Sequence, residues 1–452
     1  MQAKVKIPRS LFETALADLH RPHPFAAERV GFFSTKLTRA KTLTLIHCIA
    51  YHPVSDEHYV RDHSVGARIG SDAITEAMAR SAVDSVGQFH VHAHGGRGKP
   101  IPSITDNRES PSLARSLWNV DRTHGCGWGI LSNDSGWASV LLSTEKNSDN
   151  EADVVIIGYP ITIIPARRLS VQAPLWWRKL FRPRRAIEKR YDRQNFLGQD
   201  SDKILANLRV GIVGLGGGGS HISQQLAHLG VSHFVLCDHD VISETNLNRT
   251  VGATEADVDQ QRRKIDIAKR QIRSLHRELD ALTIGKWEGR SDALLHCDIV
   301  VGAVDTFAGR RDLEAYCRRH LIPYLDVGMD VQKIAGGGYE IIGQVILSMP
   351  GRSCMRCMNF LTEELLAEEA RRYGAAGGRP QVIWPNGEIC SAAVGIVVDL
   401  VTGWSRNQRE SIYLNFRGSD LSLRDDPRLK YLPPTCEHYP LAEAGDPKWK
   451  LL

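Results

Sequence analysis

The sequence predicts an α/β chain in two parts: an α+β domain, then a doubly wound domain with a mainly parallel sheet. Three observations carry this. At 452 residues the chain is too long for one ordinary core. Its texture changes at a basic, Pro-containing run, RKLFRPRRAIEKRYDR. Beyond that run, buried strands alternate with helical stretches, the pattern of crossover connections in a parallel sheet. The expected division is 1–168, a basic linker at 169–189, and 190–452.

In the first part, FAAERVGFFST and TLTLIHCIAYHP are dense in apolar and β-branched residues and read as strands. SDAITEAMARSAV reads as a helix with Ser71 or Asp72 as N-cap. VGQFHVHAH alternates and reads as a strand running into a loop. GWGILSND and WASVLLST form a hairpin around 133–136. NSDNEAD is a polar loop, and VVIIGYPITIIP closes the domain. In the second part RVGIVGLG is a buried strand, and SHISQQLAHLG is a helix with Ile222, Leu226 and Leu229 on one face. HFVLCDHD, CDIVVGAVD, IPYLDVGM and YEIIGQVILSM follow as strands, with GRRDLEAYCRRH a helix among them.

The stretch HVHAHGGRGKPIPSITD carries the first constellation. On a strand, residues i and i+2 face the same way. Either His90 with His92 or His92 with His94 can therefore aim two imidazoles at one ion, and Asp106 can add a carboxylate. Two His and one carboxylate leave the open fourth position of a catalytic zinc. Ser103 is placed to donate to an oxyanion. The order Gly87, His90, His92, Ser103, Asp106 resembles the JAB/MPN (JAMM) metalloproteases, and PFAAERVGFF supplies Glu28 where that family has its catalytic acid. The resemblance implies zinc on His90, His92 and Asp106, Glu28 as the base and Ser103 at the oxyanion. The spacer Ala93–Pro102 between His92 and Ser103 is ten residues, longer than usual for the family, and Ala93 replaces the customary Pro.

The second constellation begins at GLGGGGS, between a strand and a helix. Gly214, Gly216, Gly217 and Gly219 permit a tight turn and close approach to phosphates. A dehydrogenase would need only Asp238 besides. Here Asp240, Asn246, Arg249, Lys264 and Asp305 follow, a set suited to holding a triphosphate with Mg²⁺ while its α-phosphorus is attacked. The layout resembles the ThiF/MoeB/E1 superfamily, whose Rossmann-like domain adenylates the C-terminal carboxylate of ubiquitin-like proteins. The resemblance assigns Asp238 to the ribose, Asn246, Arg249 and Lys264 to the phosphates, and Asp305 to Mg²⁺. It makes Arg193, in RYDRQ, an arginine finger. Cys354 and Cys357 match one half of the superfamily's structural zinc site, with Cys436 and His438 offered for the other half. Cys390, in PNGEICSAAVGIVVDLVTGW, is a thioester candidate placed ahead of a helix N-terminus.

Composition narrows the rest. The balance of 42% hydrophobic and 24% charged residues is that of a globular protein, and no apolar run reaches the ~20 residues of a membrane helix. MQAKVKIPRS lacks a signal-peptide core, so a cytoplasmic setting is expected. Net charge is +5 with no recognition motif beside the basic run, which argues against a nucleic-acid partner. Nine scattered Cys argue against a disulfide framework. The expected function, by resemblance, is ATP-dependent activation of a ubiquitin-like protein joined to zinc-dependent processing of the same tail. ATP, Mg²⁺ and two Zn²⁺, one catalytic and one structural, are the expected cofactors. The expected partners are the ubiquitin-like protein, an E2-like protein and a second copy of the chain, in a bacterial conjugation setting. Sulfur-carrier chemistry, peptide adenylation and a scaffold with one dead site are the alternatives.

Overall fold

A computed structural model describes residues 2–22, 26–62, 65–141, 149–166, 189–198, 200–276, 279–288, 292–371 and 380–446. All of the expected basic linker except Lys189 lies outside these residues. The chain divides into two compact units, Met1–Phe181 with Leu441–Trp449, and Arg182–Pro440 with Lys450–Leu452.

The first unit contains β1 (Gln2–Pro8), α1 (Arg9–Leu19), β2 (Val30–Arg39), β3 (Leu43–Pro53), α2 (Ser71–Asp84) and β4 (Gly87–Ala93). It continues with α3 (Ile104–Val120), β5 (Cys126–Leu131), β6 (Gly136–Leu141), β7 (Asp149–Ile157) and β8 (Thr162–Ile164). The strands pair in the order β1-β3-β2-β4-β5-β6-β7-β8, and β1 also pairs with β7, which closes the sheet on itself. The expected polar loop NSDNEAD is in part the start of β7, because residues 149–152 pair with the β6 edge. Alternation along β4 divides two cores. Phe89 and Val91 enter the one that includes Phe12 and Ala15 of α1. His90 and His92 face the other, since their paired neighbours Phe32, Trp128, Val30 and Ile130 pack there with α2 and α3.

The second unit contains α4 (Ser201–Asn207), β9 (Arg209–Val213), α5 (Gly217–His228), β10 (His233–Cys237), α6 (Glu255–Asp259), α7 (Lys264–Leu275), β11 (Asp280–Ile284) and β12 (Ile299–Gly302). Then come α8 (Phe307–Arg319), β13 (Tyr324–Lys333), β14 (Tyr339–Ser348), α9 (Glu363–Arg371), α10 (Ile383–Thr402), β15 (Ser411–Arg417) and β16 (Ser422–Asp425). The sheet order is β11-β10-β9-β12-β13-β14-β15-β16. The first five strands are parallel, as the alternating pattern predicts. β14, β15 and β16 run antiparallel instead. YEIIGQVILSM cannot join the parallel set because it follows β13 through a short Gly-rich turn, and a parallel return needs a crossover. Strand order reverses between β9 and β12, so a crevice opens at their carboxyl ends, where open α/β sheets bind ligands.

Candidate functional site

That crevice is a cavity of about 430 Å³. Gly214, Gly216, Gly217, Asp238, Asp240, Asn246, Arg249, Lys264, Asp305 and Cys390 all line it. The glycines are there for different reasons. Gly214 has φ +90°, and a Cβ on it would lie 2.3 Å from the Ala303 carbonyl oxygen. Gly219 does not line the cavity; a Cβ there would stand 1.8 Å from the Gly214 carbonyl oxygen. It lets α5 start tight against the strand end, and Gly216 and Gly217 then present backbone to the cavity.

Asp238 holds the loop by accepting from the Leu215 N–H at 2.6 Å and the Asp240 N–H at 2.8 Å. Lys264, largely buried, donates to Asp240 Oδ2 at 2.7 Å. Burial alone would raise the Asp240 carboxyl, but the hydrogen bond and the charge of Lys264, with the nearby His239, together lower it. Asn246 Oδ1 accepts from Ser243 and fixes its own turn. Arg249 donates to the Thr245 carbonyl at 2.6 Å and to Asn248 at 3.0 Å, so its guanidinium is parked on its own loop at the cavity wall.

Two candidates stand elsewhere than their motifs suggest. Arg193 is exposed on a short 3-10 turn, Asp192–Leu197, and does not line the cavity. Cys390 does not precede a helix: α10 begins seven residues earlier, at Ile383. The thiol is 1% exposed, donates to the Gly218 carbonyl oxygen at 3.3 Å, and is pushed up to about 12 by burial. That environment keeps it a thiol, which corrects the expectation of a thiolate favoured by a helix end. The motifs did not single out Asn386 and Arg310, which also line the cavity. Arg310 pairs with the fully buried Asp326, which also accepts from Tyr324 and Gln344.

Cys354, Cys357, Cys436 and His438 converge. Sulfur separations are 3.7 Å for Cys354–Cys357 and 3.7 Å for Cys357–Cys436. His438 Nδ1 lies 3.5 Å from Cys354 Sγ and 3.4 Å from Cys357 Sγ. Four donors about 2.3 Å from a tetrahedral zinc would be spaced ~3.8 Å apart, so the set fits that metal. Cys354 keeps its proton by donating to its neighbours, which pushes it up and draws Cys357 and Cys436 down. The buried Glu314 accepts from the Met355 N–H at 2.8 Å and braces the Cys354–Cys357 loop.

In the first unit, His92 Nε2 lies 3.2 Å from Asp106 Oδ1, His94 Nε2 lies 3.5 Å from Asp106 Oδ2, and the two Nε2 atoms are 3.3 Å apart. Ligands at ~2.0–2.1 Å from a tetrahedral zinc would be ~3.3 Å apart, so this trio also fits. Glu28 brings a carboxylate oxygen within 4.8 Å of both imidazoles.

His90 stands apart from the trio. Its ring centre is 6.0 Å from that of His92 and 5.7 Å from that of Phe32, and its Nδ1 is buried without a partner. Burial and the neighbouring His92 lower it to about 3, so it is neutral. All three histidines share a side of the chain, but β4 ends at Ala93, so His94 stands at the mouth and His90 in the core. The converging set is therefore His92, His94 and Asp106, which corrects the trio built on His90.

The S-x-x-D spacing has a local cause. Ser103 is the N-cap of α3, accepting from the Asp106 N–H at 3.1 Å, while Asp106 accepts from the Ser103 N–H at 2.7 Å. This capping box aims the carboxylate back at the histidines. Burial alone would raise Asp106, but hydrogen bonds from His92 and Ser103 hold it well below the usual carboxylate range.

Residues 190–437 match the ThiF family. The chain is 28% identical over 177 residues to the sulfur carrier protein ThiS adenylyltransferase of Escherichia coli, covering 37% of this chain and 66% of that protein. It is 30% identical over 165 residues to the SAMP-activating enzyme E1 of Haloferax volcanii, covering 36% and 57%. It is 31% identical over 183 residues to the molybdopterin-synthase adenylyltransferase of Escherichia coli, covering 39% and 69%. The chain thus spans 57% to 69% of the length of these relatives. Among solved structures, Escherichia coli MccB bound to succinimide aligns with a TM-score of 0.44 at 23% identity, covering 52% of this chain and 71% of MccB.

Proposed function

Given that this chain belongs to the ThiF family, we propose that its second unit adenylates a carboxylate, the C-terminal one of a ubiquitin-like protein. The observation that carries this reading is the meeting of the glycine loop, Asp238, Arg249, Lys264 and Asp305 around one cavity. ATP would lie with its ribose at Asp238 and its phosphates along the loop. Arg249 and Lys264 offset triphosphate charge, and Asp305 would hold Mg²⁺, which supplies further neutralisation of the leaving group. A carboxylate oxygen forms a bond to the α-phosphorus while the bond to the β-phosphate oxygen breaks, and pyrophosphate leaves. Cys390, neutral and buried, takes no part in this scheme. Sulfur-carrier and peptide adenylation use the same step and differ only in the carboxylate presented.

Arg193 acts in this reading from a second copy of the chain. On the same turn, Phe196 is 70% exposed and meets Trp404, 47% exposed, edge to face at 5.8 Å. Such a pair is suited to burial in a homodimer.

The test is ATP–pyrophosphate exchange with small proteins bearing Gly-Gly-like tails. Exchange should appear with the cognate protein and fall by ~10²-fold or more in Lys264→Ala. Absence of exchange with every such protein, despite bound ATP, would refute activation of this substrate class.

For the first unit the reading is a zinc-dependent peptidase acting on the tail of the same partner, with any E2-like protein acting after activation. The convergence of His92, His94 and Asp106 beside Glu28 favours it. Zinc bound there would acidify a water and polarise the scissile carbonyl. Glu28 would take a proton from the attacking water and return it to the leaving amine, and the Ser103 hydroxyl, whose oxygen alone is used in the cap, would donate to the carbonyl oxygen as it gains charge. Cleavage of a tail-extended precursor should disappear in Glu28→Gln with zinc retained; cleavage at the wild-type rate would remove Glu28 from the scheme.

A further inference from the structure

The helix α9 spans two features of the second unit. Near its start, Glu363 pairs with Arg356 of the Cys354–Cys357 loop at 2.5 Å. Near its end, Glu369 accepts from the Phe307 N–H at 2.9 Å with one carboxylate oxygen and from the Ala308 N–H at 2.9 Å with the other. These are the first two N–H groups of α8, and Thr306 Oγ1 accepts the third, from Gly309, at 3.1 Å. The turn they close is Val304-Asp305-Thr306, at the carboxyl end of β12, and all three residues line the nucleotide cavity.

A strand-to-helix turn ordinarily leaves its first N–H groups to a local cap or to water. Here a carboxylate from 62 residues away takes two of them. A charged acceptor on N–H donors makes stronger bonds than a neutral cap, and it lies at the positive end of the α8 dipole. Asp305 itself is exposed, and its carboxylate has no hydrogen-bond or ion-pair partner among the described residues. Its placement thus rests on the backbone that Glu369 and Thr306 hold.

We propose that Glu369 is a positioning residue for the adenylation reaction, holding Asp305 where it meets Mg·ATP. The inference rests on the adenylation reading of this cavity. Glu369 does not line the cavity; it fixes the backbone on which Asp305 stands. The ion pair between Glu363 and Arg356 anchors the same helix at its other end, which keeps the Glu369 carboxylate from drifting off α8.

The experiment is calorimetric titration of Mg·ATP into the full-length protein: wild type, Glu369→Gln, Glu369→Ala, Asp305→Ala and the double variant. Glu369→Ala should weaken binding roughly tenfold, the scale of a lost charged cap. Glu369→Gln, which keeps the shape and one acceptor, should fall between. Titration with ATP in the absence of Mg²⁺ should be unchanged. In the Asp305→Ala background the second substitution should add less than twofold, because the two residues act as one unit. Wild-type affinity in Glu369→Ala, or an equal loss with and without Asp305, would overturn the proposal. Wild-type protein that binds no Mg·ATP would overturn both this inference and the adenylation reading. Binding that shows the Glu369 effect without any exchange would sink the adenylation reading and leave the positioning role standing.

Discussion

The two metal-suited clusters have similar edge lengths, 3.4–3.7 Å in the second unit and 3.2–3.5 Å in the first, yet their surroundings differ. The Cys354–Cys357–Cys436–His438 cluster supplies four donors, a complete tetrahedron with no position left over. The His92–His94–Asp106 cluster supplies three, with Glu28 set back where a fourth position would open. Closed sets hold a fold; open sets leave room for water and substrate. The comparison teaches that donor number and placement, more than donor proximity, separate a staple from a site of chemistry.

The strongest way to break this contrast is to remove metal. Chelation, or Cys354→Ala, should unfold much of the second unit, since a structural zinc is worth on the order of 10 kcal/mol of folding free energy. Circular dichroism with metal analysis reads this; a second unit that keeps its melting transition without zinc would end the structural assignment.

Asp106→Ala sharpens the same contrast from the other side. It should abolish zinc at the first unit while costing only ~0.5–2 kcal/mol of stability, the value of a helix cap. A loss as large as that of Cys354→Ala would make this cluster structural as well.

A third comparison is between two neighbouring histidines. His94→Ala should lower first-unit zinc occupancy severely, and His90→Asn should leave it near one per site. The reverse ranking, read by metal content per chain, would restore His90 as a ligand.

The smallest effect is expected at Cys390. Its thiol titrates near 12, above the usual thiol range, so it stays protonated below that pH and becomes the reactive thiolate only as pH rises through it. Iodoacetamide at pH 8 should leave it unmodified in the native protein, and Cys390→Ser should change exchange by less than about twofold. Rapid native labelling would reopen its role as a nucleophile.

Much of the crevice cavity was legible in the chain because many of its residues sit at strand ends. Once RVGIVGLG and CDIVVGAVD read as buried strands of one parallel sheet, the loops after them must meet at one edge. The first unit was less legible. Alternation places His90, His92 and His94 on one side alike, and it contains no signal for depth. Depth came from where β4 leaves the sheet and from α3, whose capping box turns Asp106 toward the last two histidines. Cys390 was misplaced for a related reason. The helix α10 begins at Ile383, with Pro385 in its first turn, where a missing N–H costs nothing, so the helix is already running at Cys390.

The sequence by itself determined the two-part organisation, the glycine loop and its charged followers, and the donor types of both clusters. These rest on local pattern: strand period, turn chemistry and residue type. Only the tertiary structure decided which histidines converge, that Cys390 is buried within a helix, that the last three strands run antiparallel, and that Glu369 caps α8. Each depends on distances between segments far apart in the chain, which packing sets and local spacing does not encode.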